Sequence, residues 1–190
     1  MRCITCQTLS IPIICKVCQG KYLTSSFNKR EITKDFFVYS FYKFDEVKEL
    51  LNTKYEFYGD RVLNILSKQS FAKFANNFNF EEKVYAIAID DHTRHEFSHT
   101  AILVNNLKSK NITPVYNTLK ATNIVKYAGK DLAFRKKNKR KFEYTGKKKI
   151  KVILVDDLVT SGTTILEAKK VLEENGCEVL FALTISDANL

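Results

Sequence analysis

Two adjacent acids and a hydroxyl-rich turn stand close together near the C-terminal end of the chain. Asp156 and Asp157 follow an apolar run over residues 150–155, and Thr-Ser-Gly-Thr-Thr comes after two intervening residues. Hydroxyl groups and free backbone N–H groups at the start of a helix bind a phosphate without any lysine. The predicted phosphate ligands are Thr160, Ser161, Gly162, Thr163 and Thr164.

The two acids predict hydroxyl groups next to that phosphate. Carboxylates repel a phosphate but accept hydrogen bonds from hydroxyls. The pair therefore fits a ribose 5-phosphate, with Asp156 and Asp157 accepting from its 2- and 3-hydroxyls. The structural alternative is a buried strand that ends in two surface acids and a Thr/Ser-rich helix cap. This alternative explains the start of the helix but does not explain two adjacent acids at the carboxyl end of the strand.

Four of the five cysteines form two Cys-x-x-Cys pairs near the N-terminus. Two such pairs supply the four thiolates of a tetrahedral zinc site, which is structural because no coordination position stays open. A redox dithiol and an iron–sulfur cluster are the alternatives. Cys177 is expected to be a small buried hydrophobe. The predicted zinc ligands are Cys3, Cys6, Cys15 and Cys18.

Most of the formal net charge of +10 lies in one segment. Residues 130–151 hold eleven lysines and arginines against two acids. Such a concentration favours a polyanionic partner, whereas a solvated loop that aids solubility is the alternative. The predicted nucleic-acid contacts are Arg135, Lys136, Lys137, Lys139, Arg140, Lys141, Lys147, Lys148 and Lys149.

Apolar runs rich in β-branched or aromatic residues predict the strands that position these groups. In the first run, alternation places Phe37, Tyr39 and Phe41 on a buried face. The expected strands cover residues 36–44, 84–89, 113–119, 150–155 and 178–185.

Helical spacing predicts the connections between the strands. Residues 45–78 are expected to form two helices broken near Gly59, and residues 163–175 a helix that Gly176 ends. Strand, helix and strand in this order give an α/β fold with a parallel sheet, whose ligand site lies at the carboxyl ends of the strands. The chain lacks the glycine-rich patterns of nucleoside triphosphatases and dinucleotide-binding proteins.

The apolar run, the Asp-Asp pair and Thr-Ser-Gly-Thr-Thr together resemble the phosphoribosyl pyrophosphate (PRPP) signature of type I phosphoribosyltransferases. The resemblance implies that these residues bind PRPP, with Mg²⁺ bridging the pyrophosphate and the ribose hydroxyls. It also implies that Asp91, His92 and Arg94 receive the pyrophosphate, although a helix-capping turn is the alternative there. The resemblance further implies that residues 120–149 act as a mobile loop that folds over the bound pyrophosphate.

Over its whole length, the chain is similar to the ComF (ComFC) family of competence proteins. The four-cysteine module, helical middle and phosphoribosyltransferase-like domain occur in the family's order, and Lys-Tyr-Glu-Phe-Tyr-Gly-Asp at 54–60 is similar to the family's Lys-Tyr/Phe-x-Gly-Asp segment. Residues 97–101 stand where the family has Arg-Gly-Phe-Asn-Gln. The chain departs from the family at 86–91, which lack prolines, and at His95 and Glu96, which replace Arg-Gly.

This resemblance implies a role in DNA uptake during natural transformation. The protein would bind incoming single-stranded DNA in the cytoplasm, with other competence proteins at the inner membrane as partners. Lysines along a DNA backbone give an affinity that is independent of sequence and falls with salt; the zinc module is the other candidate contact. Whether phosphoribosyl transfer occurs stays open. A phosphoribosyltransferase acting on a free base and a non-catalytic PRPP-sensing regulator are the alternative functions.

Length and composition predict one domain with a small appendage. The expected division is a zinc module over 1–30 and a phosphoribosyltransferase-like domain over 31–190, in which 31–80 lead in and 120–149 form the basic loop. No apolar run reaches the roughly 20 residues of a transmembrane helix, and the N-terminus lacks a signal-peptide pattern. A cytoplasmic location is therefore expected, and the ComF resemblance adds a peripheral position at the inner membrane as the alternative.

Overall fold

The structure, a computed structural model, describes residues 1–89, 98–123 and 140–189. Its strands are β1 (Asn28–Thr33), β2 (Phe36–Lys43), β3 (Val84–Ala88), β4 (Ile112–Val115), β5 (Leu119–Ala121), β6 (Phe142–Tyr144), β7 (Lys151–Val159) and β8 (Glu178–Asp187). Its helices are α1 (Lys16–Tyr22), α2 (Phe44–Asn52), α3 (Gly59–Gln69), α4 (Phe71–Asn77), α5 (His99–Asn105) and α6 (Thr163–Glu174). A short 3₁₀ turn, Thr53–Tyr55, follows α2.

The main sheet has the strand order β1-β2-β8-β7-β3-β4. Its β1 and β2 pair antiparallel, whereas the other neighbours pair parallel. Val152, Ile153, Leu154 and Val155 of β7 are fully buried, as expected of a central parallel strand covered on both faces. The predicted α/β class with a mostly parallel sheet is confirmed.

Alternate side chains of β7 enter two separate cores, because successive residues of a strand point to opposite faces. Val152 and Leu154 lie in one core with α6. Ile153 and Val155 lie in the other core with α3 and α5. Packing on both faces therefore fixes β7 and the two acids that continue it.

The N-terminal module shares a core with the rest of the chain. Its Ile13, Ile14 and Leu23 are buried in the same cluster as the apolar side chains of α3. Ser25 also donates a hydrogen bond to the backbone carbonyl of Gln69 at 3.0 Å. The expected boundary near residue 30 falls within β1, which is a strand of the main sheet.

The helical region at 45–78 contains three helices, so the prediction of two is wrong. The predicted break at Gly59 is confirmed, since α3 begins there. A second break falls at Ser70, whose hydroxyl donates to the Leu66 carbonyl at 2.7 Å and competes with the helix ladder.

Within the described residues, none of the helices has the length and apolar character that crossing a membrane requires.

The single strand expected at 113–119 is also wrong. Its first part is β4 at the edge of the main sheet, and its last part is β5, which pairs antiparallel with β6 in a separate two-stranded sheet. Between them Asn117 has a φ of 58°, a left-handed conformation that interrupts an extended run and that asparagine tolerates better than most residues. Pro114 lies on the edge strand, where its missing donor does little harm.

The buried face expected for β2 needs a correction. Phe41 is buried as predicted, but Phe37 and Tyr39 are only half-buried, whereas Phe36 and Val38 on the other face are buried. The reason is that both faces of β2 are covered, since Val38 lies in the core with α6 and Phe41 lies in the core with α3. The polar sequence of β1 carries no apolar run, so the strand that places β2 in the sheet interior was not predicted.

Candidate functional site

The two acids lie inside β7, which extends past the predicted end at residue 155. On one side, β7 remains paired with β8 as far as Val159 opposite Asp187. On the other side, the last pair with β3 in the described residues joins Ala88 and Val155. Asp156 and Asp157 therefore lie at the carboxyl edge of the sheet, next to a neighbouring strand that has ended. The predicted position at the sheet edge holds, although the predicted end of the strand is wrong.

Lys54 from the 3₁₀ turn reaches this edge. Its Nζ lies 2.5 Å from Oδ2 of Asp157, and both side chains are largely buried. The turn that presents Lys54 packs closely on Gly59, where an added Cβ would lie 2.2 Å from the Thr53 carbonyl oxygen. Sequence reasoning did not assign Lys54 to the site. The signal was present, because Lys54 and Gly59 both belong to the segment that is similar to the ComF pattern.

The pKa values of the two acids shift in opposite directions because their surroundings differ. Burial and the neighbouring Asp157 raise the pKa of Asp156 to about 8. Burial also acts to raise the pKa of Asp157, but the charge and hydrogen bond of Lys54 outweigh it and lower the pKa. The Asp157 N–H donates to Oδ1 of Asp156 at 2.9 Å. Asp156 therefore keeps its proton to a higher pH than Asp157 does.

The hydroxyl-rich turn begins directly after β7 and opens into α6. Gly162 has a φ of 77°, and the side chain of Ile32 from β1 would lie 3.1 Å from a Cβ at this position. Both facts favour glycine. The Ser161 and Thr163 hydroxyls lie 2.9 Å apart, and α6 begins at Thr163. Because the first N–H groups of a helix have no partner within it, the turn offers a concentrated set of donors.

Arg30 of β1 holds the start of this turn. Its Nε lies 2.5 Å from Oδ2 of Asp187, and its second terminal nitrogen donates to Oδ1 of Asp187 at 3.1 Å and to the Thr160 carbonyl at 2.7 Å. Asn189 donates to the same carbonyl at 2.9 Å. The Asp187 side chain is 1% exposed. No local pattern could have predicted this contact, since 157 positions separate Arg30 from Asp187.

The four N-terminal cysteines form one cluster, as predicted. Their sulfur atoms all lie within 4.8 Å of one another, and those of Cys6 and Cys15 are 3.7 Å apart. Tetrahedral zinc with Zn–S bonds of about 2.3 Å requires sulfurs about 3.8 Å apart. The Cys15 N–H donates to the Cys3 sulfur at 3.3 Å. Cys177 is buried in the core with α6, as predicted for a cysteine that is not a ligand.

The thiol pKa values within the cluster shift in opposite directions. The N–H group of Cys15 lowers the pKa of Cys3 to about 6. Burial raises the pKa of Cys18 to about 12. Four thiolates held this close repel one another, and a divalent cation offsets that repulsion. The arrangement can bind a metal ion such as zinc with four sulfur ligands.

The structure separates the described basic residues into two groups. The N–H groups of Arg140 and Lys141 donate to the carboxylate of Glu167 in α6, at 3.2 and 2.8 Å. Lys149 donates to the Gly176 carbonyl at 3.1 Å, so Lys147, Lys148 and Lys149 lie at the amino edge of the sheet. The nine residues of β7 separate the two edges by roughly 25 Å.

Two sets of predicted residues lie outside the described part of the chain. They are the pyrophosphate residues Asp91, His92 and Arg94, and the basic residues Arg135, Lys136, Lys137 and Lys139.

A cavity of about 760 Å³ lies between the N-terminal module, α3 and α5. Ile11, Asn64 and Ile102 are among its lining residues. None of the described residues predicted to bind zinc, PRPP or nucleic acid lines this cavity. The cavity is therefore separate from the acid pair and the hydroxyl-rich turn.

The solved structures that are similar to this chain include two of low sequence identity. UMP synthase from Leishmania donovani is 21% identical with a TM-score of 0.39, over 66% of this chain and 22% of that chain. A hypoxanthine phosphoribosyltransferase from Staphylococcus aureus is 7% identical with a TM-score of 0.37, over 67% of this chain and 73% of that chain. No protein-family model and no curated protein matches the sequence. The chain thus spans less than a quarter of the UMP synthase.

We expect purified protein to hold roughly one zinc per chain. Replacing Cys18 with serine removes a buried sulfur ligand and should abolish zinc retention and lower thermal stability, because the module shares its core with α3. Elemental analysis after gel filtration measures the metal. Cys177→Ser is the matched control and should keep its zinc. Bound iron in the wild type, or equal zinc in both variants, would contradict the assignment.

Arg30→Ala should lower the free energy of unfolding by about 3 kcal/mol, because it leaves the buried Asp187 carboxylate without its cation. Urea unfolding measures the loss. The control is Lys170→Ala, which removes an exposed ion pair with Glu174 and should cost about 0.5 kcal/mol or less. Similar losses in the two variants would show that Arg30 does not hold the turn.

Asp156 should make the wild type less stable as the pH rises. An unfolded aspartate titrates near pH 4, whereas the raised pKa of about 8 keeps a proton on folded Asp156. Between these values the folded state binds the extra proton, so its stability falls with increasing pH. Urea unfolding from pH 5 to 9 should therefore show Asp156→Asn gaining on the wild type. Parallel stability curves would argue against a protonated Asp156.

Proposed function

We propose that the protein binds PRPP at the carboxyl edge of its sheet and handles single-stranded DNA in natural transformation, as a ComF-type protein. The PRPP part of the proposal rests on one observation. The acid pair and the 160–164 turn lie together at one edge of a parallel sheet. Ligands of open α/β sheets bind outside the carboxyl ends of the strands. Mg²⁺ would arrive with the pyrophosphate, and the zinc ion would be structural.

Each part of the site matches one part of the ligand. The 5-phosphate would lie at the N-terminus of α6, where backbone N–H groups and the helix dipole favour an anion. The Asp157 carboxylate would accept from a ribose hydroxyl, while Lys54 keeps it in place through the 2.5 Å contact. Protonated Asp156 would both donate and accept, so it can satisfy a second hydroxyl. If phosphoribosyl transfer follows, it rests on positioning and on stabilising the diphosphate as it leaves.

The DNA part of the proposal rests on charge and on the ComF resemblance. Arg140 and Lys141 lie beside α6, at the end of the sheet that carries the acid pair. A strand bound along them would come close to the PRPP site. Lys148 and Lys149 lie at the opposite edge and would be remote from it. We therefore assign the strand to the Arg140 side of the molecule.

Calorimetry with PRPP and Mg²⁺ tests the first part. Changing Asp156 and Asp157 together to asparagine should weaken binding at least tenfold, since it removes a charge-assisted hydrogen bond. The matched control changes Glu173 and Glu174, an adjacent acid pair at the other end of α6, to glutamine and should bind as the wild type does. Absence of PRPP binding by the wild type, or equal binding by all three proteins, would overturn the proposal.

Binding of a fluorescent oligothymidine over a range of salt concentrations tests the second part. Changing Arg140 and Lys141 to glutamine should weaken binding and reduce the slope of log affinity against log salt by about 0.7 for each lost phosphate contact. Changing Lys148 and Lys149 to glutamine removes the same charge at the opposite edge and should have little effect. If the second pair has the larger effect, the strand does not run past Arg140. No binding by the wild type would remove the DNA role.

A further inference from the structure

A buried hydroxyl group in β8 lacks a hydrogen-bond partner. Thr184 is 0% exposed, and its Oγ1 forms no hydrogen bond with any of the described residues. A buried hydroxyl without a partner costs free energy, and most buried polar side chains in proteins are hydrogen-bonded. A valine of the same shape would avoid that cost. The hydroxyl of Thr184 therefore calls for a partner that it meets in another state of the protein.

Strand pairing places Thr184 next to Asp156. The two residues are directly opposite each other in the parallel pair of β7 and β8. Val155 and Leu183, which precede them, lie in the core with α3 and α5, so Asp156 and Thr184 point to the other face of the sheet. Neighbouring strands lie about 4.8 Å apart. Rotation about the Cα–Cβ bond of Thr184 can thus bring its hydroxyl to the carboxyl group of Asp156.

Ser40 is the neighbour of Thr184 on the other side. It lies opposite Thr184 in β2 and is 2% exposed, so three polar side chains form a row across β2, β8 and β7. A serine hydroxyl is a neutral acceptor, whereas a carboxylate forms charge-assisted hydrogen bonds that are roughly twice as strong. A threonine hydroxyl can also accept from Ser40 while it donates to Asp156. Asp156 is therefore the stronger acceptor of the two neighbours.

The carboxyl group of Asp156 can use a second donor. Its Oδ1 accepts from the Asp157 N–H at 2.9 Å. Burial and the charge of Asp157 raise the pKa of Asp156 to about 8, although the Asp157 N–H, Arg140 and Lys54 act to lower it. A single hydrogen bond leaves a carboxyl group free to rotate about that contact. A second donor from β8 would fix its orientation.

We propose that Thr184 is a positioning residue for Asp156, because its hydroxyl donates to the Asp156 carboxyl group and fixes the orientation in which that group meets a ribose hydroxyl. The inference deepens the proposed function, on which it rests for the position of the ribose. It gives the sugar side of the site a support from β8, a strand that lies outside the acid pair and the hydroxyl-rich turn.

Three variants of the full chain test this role. Thr184→Val removes the hydroxyl but keeps the shape of the side chain, whereas Thr184→Ser keeps the hydroxyl. The matched control is Ser67→Ala, because Ser67 in α3 is also 0% exposed and its Oγ also has no partner among the described residues. Removing either hydroxyl should leave the thermal stability of the free protein unchanged or raise it. Only the change at Thr184 should affect Asp156.

The first measurement is an NMR titration of the Asp156 carboxyl carbon. Because a donor stabilises the charged form of a carboxyl group, Thr184→Val should move the titration midpoint to higher pH by about one unit. Thr184→Ser and Ser67→Ala should titrate as the wild type does. The second measurement is calorimetry with PRPP and Mg²⁺, in which Thr184→Val should bind about tenfold more weakly than the wild type.

An unshifted midpoint in Thr184→Val, or an equal shift in Ser67→Ala, would overturn the inference. A less stable Thr184→Val with an unshifted midpoint would mean that the hydroxyl has a different partner, which would overturn it too. If the wild type does not bind PRPP, the proposed function fails, whereas the titration still tests whether Thr184 donates to Asp156. The two failures can therefore be told apart.

Discussion

Two carboxyl groups on consecutive residues of β7 are the constraint on which the site depends. At a largely buried sheet edge, two neighbouring negative charges are unfavourable. Burial and the neighbouring charge raise the pKa of Asp156, which favours its neutral form, and the Lys54 cation pairs with Asp157. Lys54 reaches that position because its turn packs tightly on Gly59. The lead-in helices are therefore part of the site as well as part of the core.

The hydroxyl-rich turn likewise depends on residues that are distant from it or from each other in the sequence. Arg30 from the edge strand and Asp187 from the last strand form a buried ion pair that holds the Thr160 carbonyl. Ile32 from the same edge strand packs against Gly162. Breaking such a pair leaves an uncompensated charge in the interior. The antiparallel β1 thus supports the turn in addition to completing the sheet.

Prediction from sequence succeeded where the signal is local. The apolar run of β7, the start of α6 and the end of that helix at Gly176 follow from hydrophobicity, helix capping and glycine conformation. Prediction from sequence failed where the pairing of strands determines where a strand ends. β7 continues through polar Asp156 and Asp157 because β8 pairs with it up to Val159, and an apolar pattern carries no information about that partner.

The sequence by itself determined the cluster of four cysteines, the acid pair with its turn, and the α/β class. These rest on residue types at short spacing, and short-range geometry follows from them with little help from the rest of the chain. Only the tertiary structure decided that Lys54 pairs with Asp157, that Arg30 holds Thr160, and that the basic segment divides between two edges of the sheet. The physical reason is that ion pairing and exposure depend on neighbours in space, which folding brings together from positions more than 100 residues apart.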